Sequence, residues 1–165
     1  ERECPGMQWV AAMANDDVKQ VFQHAMKRLG FTGITLVTHE PRKVIAAADA
    51  VICASGTVAL ETLLVNRPMT VTYKISPATH FLAKYLRLIK PQLFSLPNIL
   101  AGERLVPELI QEESTGEKLA RETRFWLNNE AARTTLRRRF LELHQDLRCD
   151  ASRRAAEAVC SMLES

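Results

Sequence analysis

Through the first 75 residues, short unbroken apolar runs alternate with stretches whose apolar residues recur every three or four positions. The run at 7–13 reads as a strand, and Asn15-Asp16-Asp17 then supplies N-cap chemistry for a helix. In that helix Val18, Val21, Phe22, Ala25, Met26 and Leu29 keep helical spacing, and Gly30 ends it. A second strand is predicted at 34–37, a short helix at 41–48 opened by Pro41, and a third strand at 51–54. A helix from Thr57 to about Val65, a turn at Asn66-Arg67-Pro68 and a fourth, β-branched strand at 69–75 complete the series. Strands alternating with helices imply right-handed crossovers and a parallel sheet covered on both faces.

Beyond Ser76 the rhythm changes. A helix is predicted from Pro77 to about Leu88, with Phe81, Leu82, Tyr85, Leu86 and Ile89 as an apolar stripe interleaved by Lys84, Arg87 and Lys90. It reads either as a core-facing helix with a basic outer face or as an amphipathic element meeting a bilayer. Residues 95–102 read as an apolar loop centred on Asn98. Everything after Val106 reads as helix, at 106–113, about 115–127, 129–147 and 151–164, the third carrying a seam of Leu136, Phe140, Leu143 and Leu147. The expected division is a Rossmann-like domain over 1–105 and a helical extension over 106–165. The chain opens without Met and runs straight into a strand, so the first strand of the sheet is expected to lie upstream, in a longer protein.

Composition narrows the class. At 165 residues, 47% hydrophobic and 25% charged, the chain is globular, and no apolar run reaches the roughly 20 residues of a membrane span. Residues 1–100 carry 11 Lys and Arg against 7 Asp and Glu, and residues 101–165 carry 11 against 12, so neither part has the excess of a nucleic-acid binder. Arg137-Arg138-Arg139 is dense, but successive helical residues point about 100° apart, so a solvated face is expected. The four cysteines, Cys4, Cys53, Cys149 and Cys160, have no metal-ligand spacing; reduced thiols fit a cytosolic protein, and Cys53 reads as packed in its strand.

The chemistry concentrates at 50–61, where an apolar strand breaks at Ser55-Gly56-Thr57 and resumes as a helix with Glu61 one turn in. A helix start presents unpaired N–H groups and partial positive charge, which suit a phosphate. Gly56 allows close backbone approach, Ser55 and Thr57 add hydroxyls, and Glu61 can accept hydrogen bonds from a ribose diol. The same residues also fit an ordinary helix start with a surface Glu.

Three segments in one order, SGTVALE at 55–61, SLPNILAG at 95–102 and ELHQDLR at 142–148, resemble the C-terminal half of lipid-A-disaccharide synthases, the likeness being carried by residues 45–165. The resemblance implies half of a two-domain B-type glycosyltransferase that needs no metal or other cofactor. This half binds the nucleotide sugar, and the absent N-terminal domain brings the acceptor and the catalytic carboxylate. The donor it implies is UDP-2,3-diacylglucosamine, and the acceptor is the lipid-linked glucosamine 1-phosphate. Carried over by residue, Ser55, Gly56 and Thr57 face the diphosphate, Glu61 holds the ribose, and Asn98 makes a polar contact to diphosphate or sugar. Glu108 and Gln111, three apart on a predicted helix, share a face bordering the cleft, although Gln111 also fits an ordinary surface residue. The family's Gly-Ser-Arg turn is absent, and His39-Glu40-Pro41 replaces a Gly-Gln type loop, so uracil contacts cannot be carried over there.

The resemblance further implies a cytoplasmic enzyme peripheral on the inner membrane and a homodimer joined through exchanged C-terminal helices. Other readings are a UDP-sugar 2-epimerase, another B-type transferase fragment, or a non-catalytic module that dimerises through its last helices. The first two share the helix-start motif but lack SLPNILAG followed by the ELHQ helix.

Overall fold

The computed structural model describes residues 6–54, 56–74 and 93–163. The first four strands alternate with helices, as the two rhythms predict. Strand β1 (Trp9–Met13) is followed by α1 (Asp16–Arg28), β2 (Ile34–Thr38), α2 (Pro41–Ala47), β3 (Val51–Ala54), α3 (Thr57–Leu64) and β4 (Met69–Tyr73). The Asn15 side chain caps α1 by accepting from Val18 N–H at 2.9 Å, with Asp16 and Asp17 in the first turn. Those carboxylates oppose the positive end of the helix, and Lys27 and Arg28 match its negative end. The predicted helix at 77–88 lies outside the described residues.

Two expectations are corrected after residue 93. The segment read as a loop forms a short helix, α4 (Leu96–Ala101), opened by Pro97 and closed by Gly102 at φ 67°. The segment read as a helix over 106–113 contains strand β5 (Glu108–Ile110) and a 3-10 turn over Gln111–Glu113. β5 pairs in parallel with β4, Val71 opposite Glu108, so the sheet extends past residue 105 and the extension is not wholly helical. Helices α5 (Gly116–Asn128), α6 (Glu130–Leu147) and α7 (Ala151–Leu163) follow, close to the predicted spans.

All strand pairs are parallel, but they form two sheets among the described residues, β1–β2 and β3–β4–β5. The core lies on the larger sheet. Cys53, Met69 and Val71 of its strands pack with Ala59 and Leu63 of α3, Val106, Trp126 of α5, and Leu136, Phe140 and Leu143 of α6. Three of the four seam residues of the last helices thus line this chain's own core, while Leu147 is 38% exposed. Helix α2 packs against β1, β2 and α3 and so holds the smaller sheet beside the larger one.

Candidate functional site

Parallel pairing puts the C-terminal ends of β3, β4 and β5 on one edge, the edge where open α/β sheets bind ligands. At that edge the chain turns from β3 into α3. Gly56 takes φ 134° and ψ −154°, a conformation that a Cβ would strain, and no side chain caps the helix. Gly56, Thr57 and Val58 are exposed, so the start of α3 opens to solvent, while Ala59 N–H, deeper in the turn, donates to Gly56 O at 3.2 Å. Ser55 lies outside the described residues. Burial of Ala59, Thr62 and Leu63 fixes which face of α3 turns inward, and Glu61 falls on the other side with its side chain 32% exposed. The Thr62 hydroxyl donates to Val58 O at 2.7 Å and so has no role at this edge.

Arg42 Nε stands 3.8 Å from Glu61 Oε2. Sequence reasoning does not single out Arg42, although a signal exists. A cation in the first turn of a helix opposes the dipole, which calls for an anionic partner or ligand nearby. With Arg42 80% exposed the pair itself adds little stability, and it leaves a guanidinium beside the predicted ribose carboxylate.

Gln111 sits where β5 ends. Its backbone is left-handed, φ 53°, and the residue is 8% exposed. Non-glycine residues in that region cost about 1–3 kcal/mol and cluster at functional sites. Beside it the Thr72 hydroxyl lies 2.7 Å from Ser114 Oγ and donates to Leu109 O at 3.1 Å, tying the ends of β4 and β5 together. His39, at the end of β2, is also left-handed, with φ 64°.

Asn98 and Glu108 face inward. Asn98 is fully buried, and its amide nitrogen donates to Val106 O at 3.0 Å and to Glu108 Oε1 at 2.9 Å. Its oxygen accepts from Leu105 N–H and Val106 N–H at 2.9 and 3.0 Å. Glu108, 3% exposed, also accepts from Ser95 N–H at 2.7 Å and Phe94 N–H at 3.1 Å. The two side chains clasp the start of α4 to β5. The expected shared helix face of Glu108 and Gln111 is corrected, because β5 is a strand. Glu108 begins it, and Gln111 follows its end, some 10 Å along at about 3.3 Å per residue. Gly56, Thr57 and Glu61 therefore belong to the open edge, Gln111 lies buried where β5 ends, and Asn98 with Glu108 forms a buried clasp at the start of β5.

Cys53 is buried within β3, and desolvation pushes its thiol up from 9.0 to about 12, the behaviour of a packed residue and not of a nucleophile.

The sequence profile of the family described as lipid-A-disaccharide synthetase matches residues 1–159. The chain belongs to that family. A lipid-A-disaccharide synthase from Xylella fastidiosa (strain M12) is 41% identical over 162 residues, 97% of this chain and 42% of the relative. The synthase of Pasteurella multocida (strain Pm70) is 39% identical over 169 residues, 99% of this chain and 43% of the relative. That of Chromohalobacter salexigens is 48% identical over 124 residues, 75% of this chain and 32% of the relative. The match to the lipid-A-disaccharide synthetase profile extends across the first 45 residues as well as the segments that carry the resemblance. The chain spans about two fifths of the length of the Xylella and Pasteurella relatives.

Proposed function

We propose that this chain is the donor-binding part of a glycosyltransferase that joins UDP-2,3-diacylglucosamine to 2,3-diacylglucosamine 1-phosphate, giving lipid A disaccharide and UDP. The observation that carries this reading is the uncapped, exposed start of α3 at Gly56-Thr57, in a chain of this family, with Glu61 on the same open side. The diphosphate meets the N–H groups and hydroxyl of that first turn, Ser55 adds a second hydroxyl, Glu61 accepts from the ribose, and Gln111 borders the cleft. Asn98 and Glu108 support the site from behind.

In the reaction the acceptor hydroxyl attacks the donor anomeric carbon. A carboxylate from the rest of the protein takes its proton, and the C–O bond to UDP breaks. The charge that develops on the departing diphosphate is met by the N-terminus of α3, fixed in place before the reaction begins. Alone, this chain binds UDP without turnover. Calorimetric titration with UDP and ADP tests the reading: a saturable heat with UDP and a weaker one with ADP support it, and equal or absent heats overturn it.

Two finer points belong to the same proposal. The enzyme works at the membrane surface, where its acylated substrates reside. Support comes from Lys84, Arg87 and Lys90 interleaving with Phe81, Leu82 and Tyr85 in the sequence, while no described helix is long and apolar enough to cross a bilayer. Flotation with anionic vesicles that salt abolishes is the expected result. The protein is also a homodimer, through α7 and not through the α6 seam, since Val159 and Met162 on α7 are 57% and 78% exposed. Light scattering that gives the single-chain mass of 18.6 kDa at every concentration refutes it.

A further inference from the structure

Helix α2 starts against its own electrostatics. The first turn of a helix carries partial positive charge and favours Asp or Glu, as α1 has in Asp16 and Asp17. Helix α2 has no acidic residue in its first turn and holds Arg42 and Lys43 there instead. Lys43 is answered locally, where its ammonium pairs with Glu40. Arg42 meets its carboxylate on a different helix, with Nε 3.8 Å from Glu61 Oε2 of α3. A pair whose cation is 80% exposed adds little stability, so folding gives no reason for a cation at that position. A residue that breaks a local rule without gaining stability points to a task at a site.

The task follows from where Glu61 stands. A helical side chain leans toward the N-terminus of its helix, so Glu61, one turn into α3, covers the turn that begins at Thr57. Its carboxylate is therefore close to the open helix start. Under the proposed function these two features conflict, because the helix start takes a diphosphate and a bare carboxylate nearby repels it. Without the carboxylate, the ribose hydroxyls would lose their acceptor. A cation beside Glu61 resolves the conflict. It cancels the charge, and one guanidinium nitrogen at 3.8 Å leaves most of the carboxylate's roughly four acceptor positions open to the ribose.

We propose that Arg42 is a positioning residue of the donor site: it holds the Glu61 carboxylate, neutralises it toward the diphosphate, and so sets the preference for a nucleoside diphosphate over the nucleoside. The role rests on the proposed docking of a nucleoside diphosphate at the start of α3. The contribution of Arg42 should then grow with the number of phosphates on the ligand, since the ribose contact is common to all such ligands and the repulsion is not. It should also vanish when Glu61 carries no charge, because Arg42 acts through that carboxylate.

Titrations with uridine, UMP and UDP, followed by nitrogen–proton correlation spectra, test this on the parent chain and on Arg42→Ala, Arg42→Lys, Glu61→Gln and the double variant Arg42→Ala with Glu61→Gln. At low salt Arg42→Ala should weaken UDP about tenfold, UMP about threefold and uridine less than about twofold. The difference between ligands should close in about 1 M salt, where the screening length is about 3 Å. Arg42→Lys should recover most of the lost UDP affinity, and in the Glu61→Gln background Arg42→Ala should change UDP binding less than about twofold. Arg42→Ala should melt with the parent, so its losses are not losses of fold. Equal losses for uridine and UDP would overturn the proposal, as would an undiminished loss of UDP in the Glu61→Gln background, which means the guanidinium meets the phosphates directly. A parent chain that does not bind UDP would overturn the proposed function and this role with it, whereas a parent that binds UDP beside an unaffected Arg42→Ala would overturn the role alone.

Discussion

Asn98 spends both of its amide donors and its oxygen inside the chain, so its loss strands Leu105 N–H, Val106 N–H and the Glu108 carboxylate in a buried setting. Asn98→Ala should therefore lower unfolding stability by on the order of 3 kcal/mol in urea titration, with UDP affinity falling only as the fold loosens. Glu61→Ala should do the reverse. On a half-open face it should leave the melting temperature unchanged and weaken UDP by about 1–3 kcal/mol, the usual value of a charge-assisted hydrogen bond. The same substitution should weaken 2′-deoxy-UDP much less, because that nucleotide lacks a hydroxyl that Glu61 would accept from. Cys53 offers a pH test. Burial pushes its thiol in the folded chain up to about 12, above the ordinary 9.0, so the folded state keeps its proton where the unfolded state releases it. This contribution is complete below pH 9.0 and is lost as pH rises from 9.0 toward 12. Accordingly, iodoacetamide near neutral pH should label exposed Cys149 and Cys160 and spare Cys53 until the protein unfolds.

At the scale of elements, the helix that was expected to join two protomers is sorted by burial. Leu143→Asp should cost more than about 4 kcal/mol and abolish cooperative melting, because the charge enters the core beside Phe140. Leu147→Asp, at a half-exposed position, should fall within about 1 kcal/mol of the parent. Elements whose signals are local were legible in advance. Asn15 with Asp16 and Asp17, Pro41, and the Ser55-Gly56-Thr57 break each mark a helix start by chemistry within one turn. β5 was not legible. Val106, Leu109 and Ile110 keep helical spacing, the strand is three residues long, and pairing with β4, distant in sequence, decides its state. Reading β5 as a helix also put Glu108 on the same face as Gln111. By contrast α4 carried readable marks, Pro97 in its first turn and Gly102 as a left-handed cap, and the apolar run around them hid the helix.

For the whole molecule, the parallel α/β architecture was legible from alternating rhythms, whereas the division into two sheets was not, since strand order follows from pairing and not from periodicity. Membership of the lipid-A-disaccharide synthetase family and an open helix start at the ligand edge of the sheet converge on one central claim: a nucleoside diphosphate docks on the first turn of α3. Nitrogen–proton correlation spectra recorded during titration with UDP and ADP test that claim most directly. UDP should move the amides of Gly56, Thr57 and Val58 most, Gln111 next, and the clasp residues Leu105 and Val106 least, with smaller shifts from ADP. Equal shifts from both nucleotides, or a maximum of perturbation away from the start of α3, would contradict it.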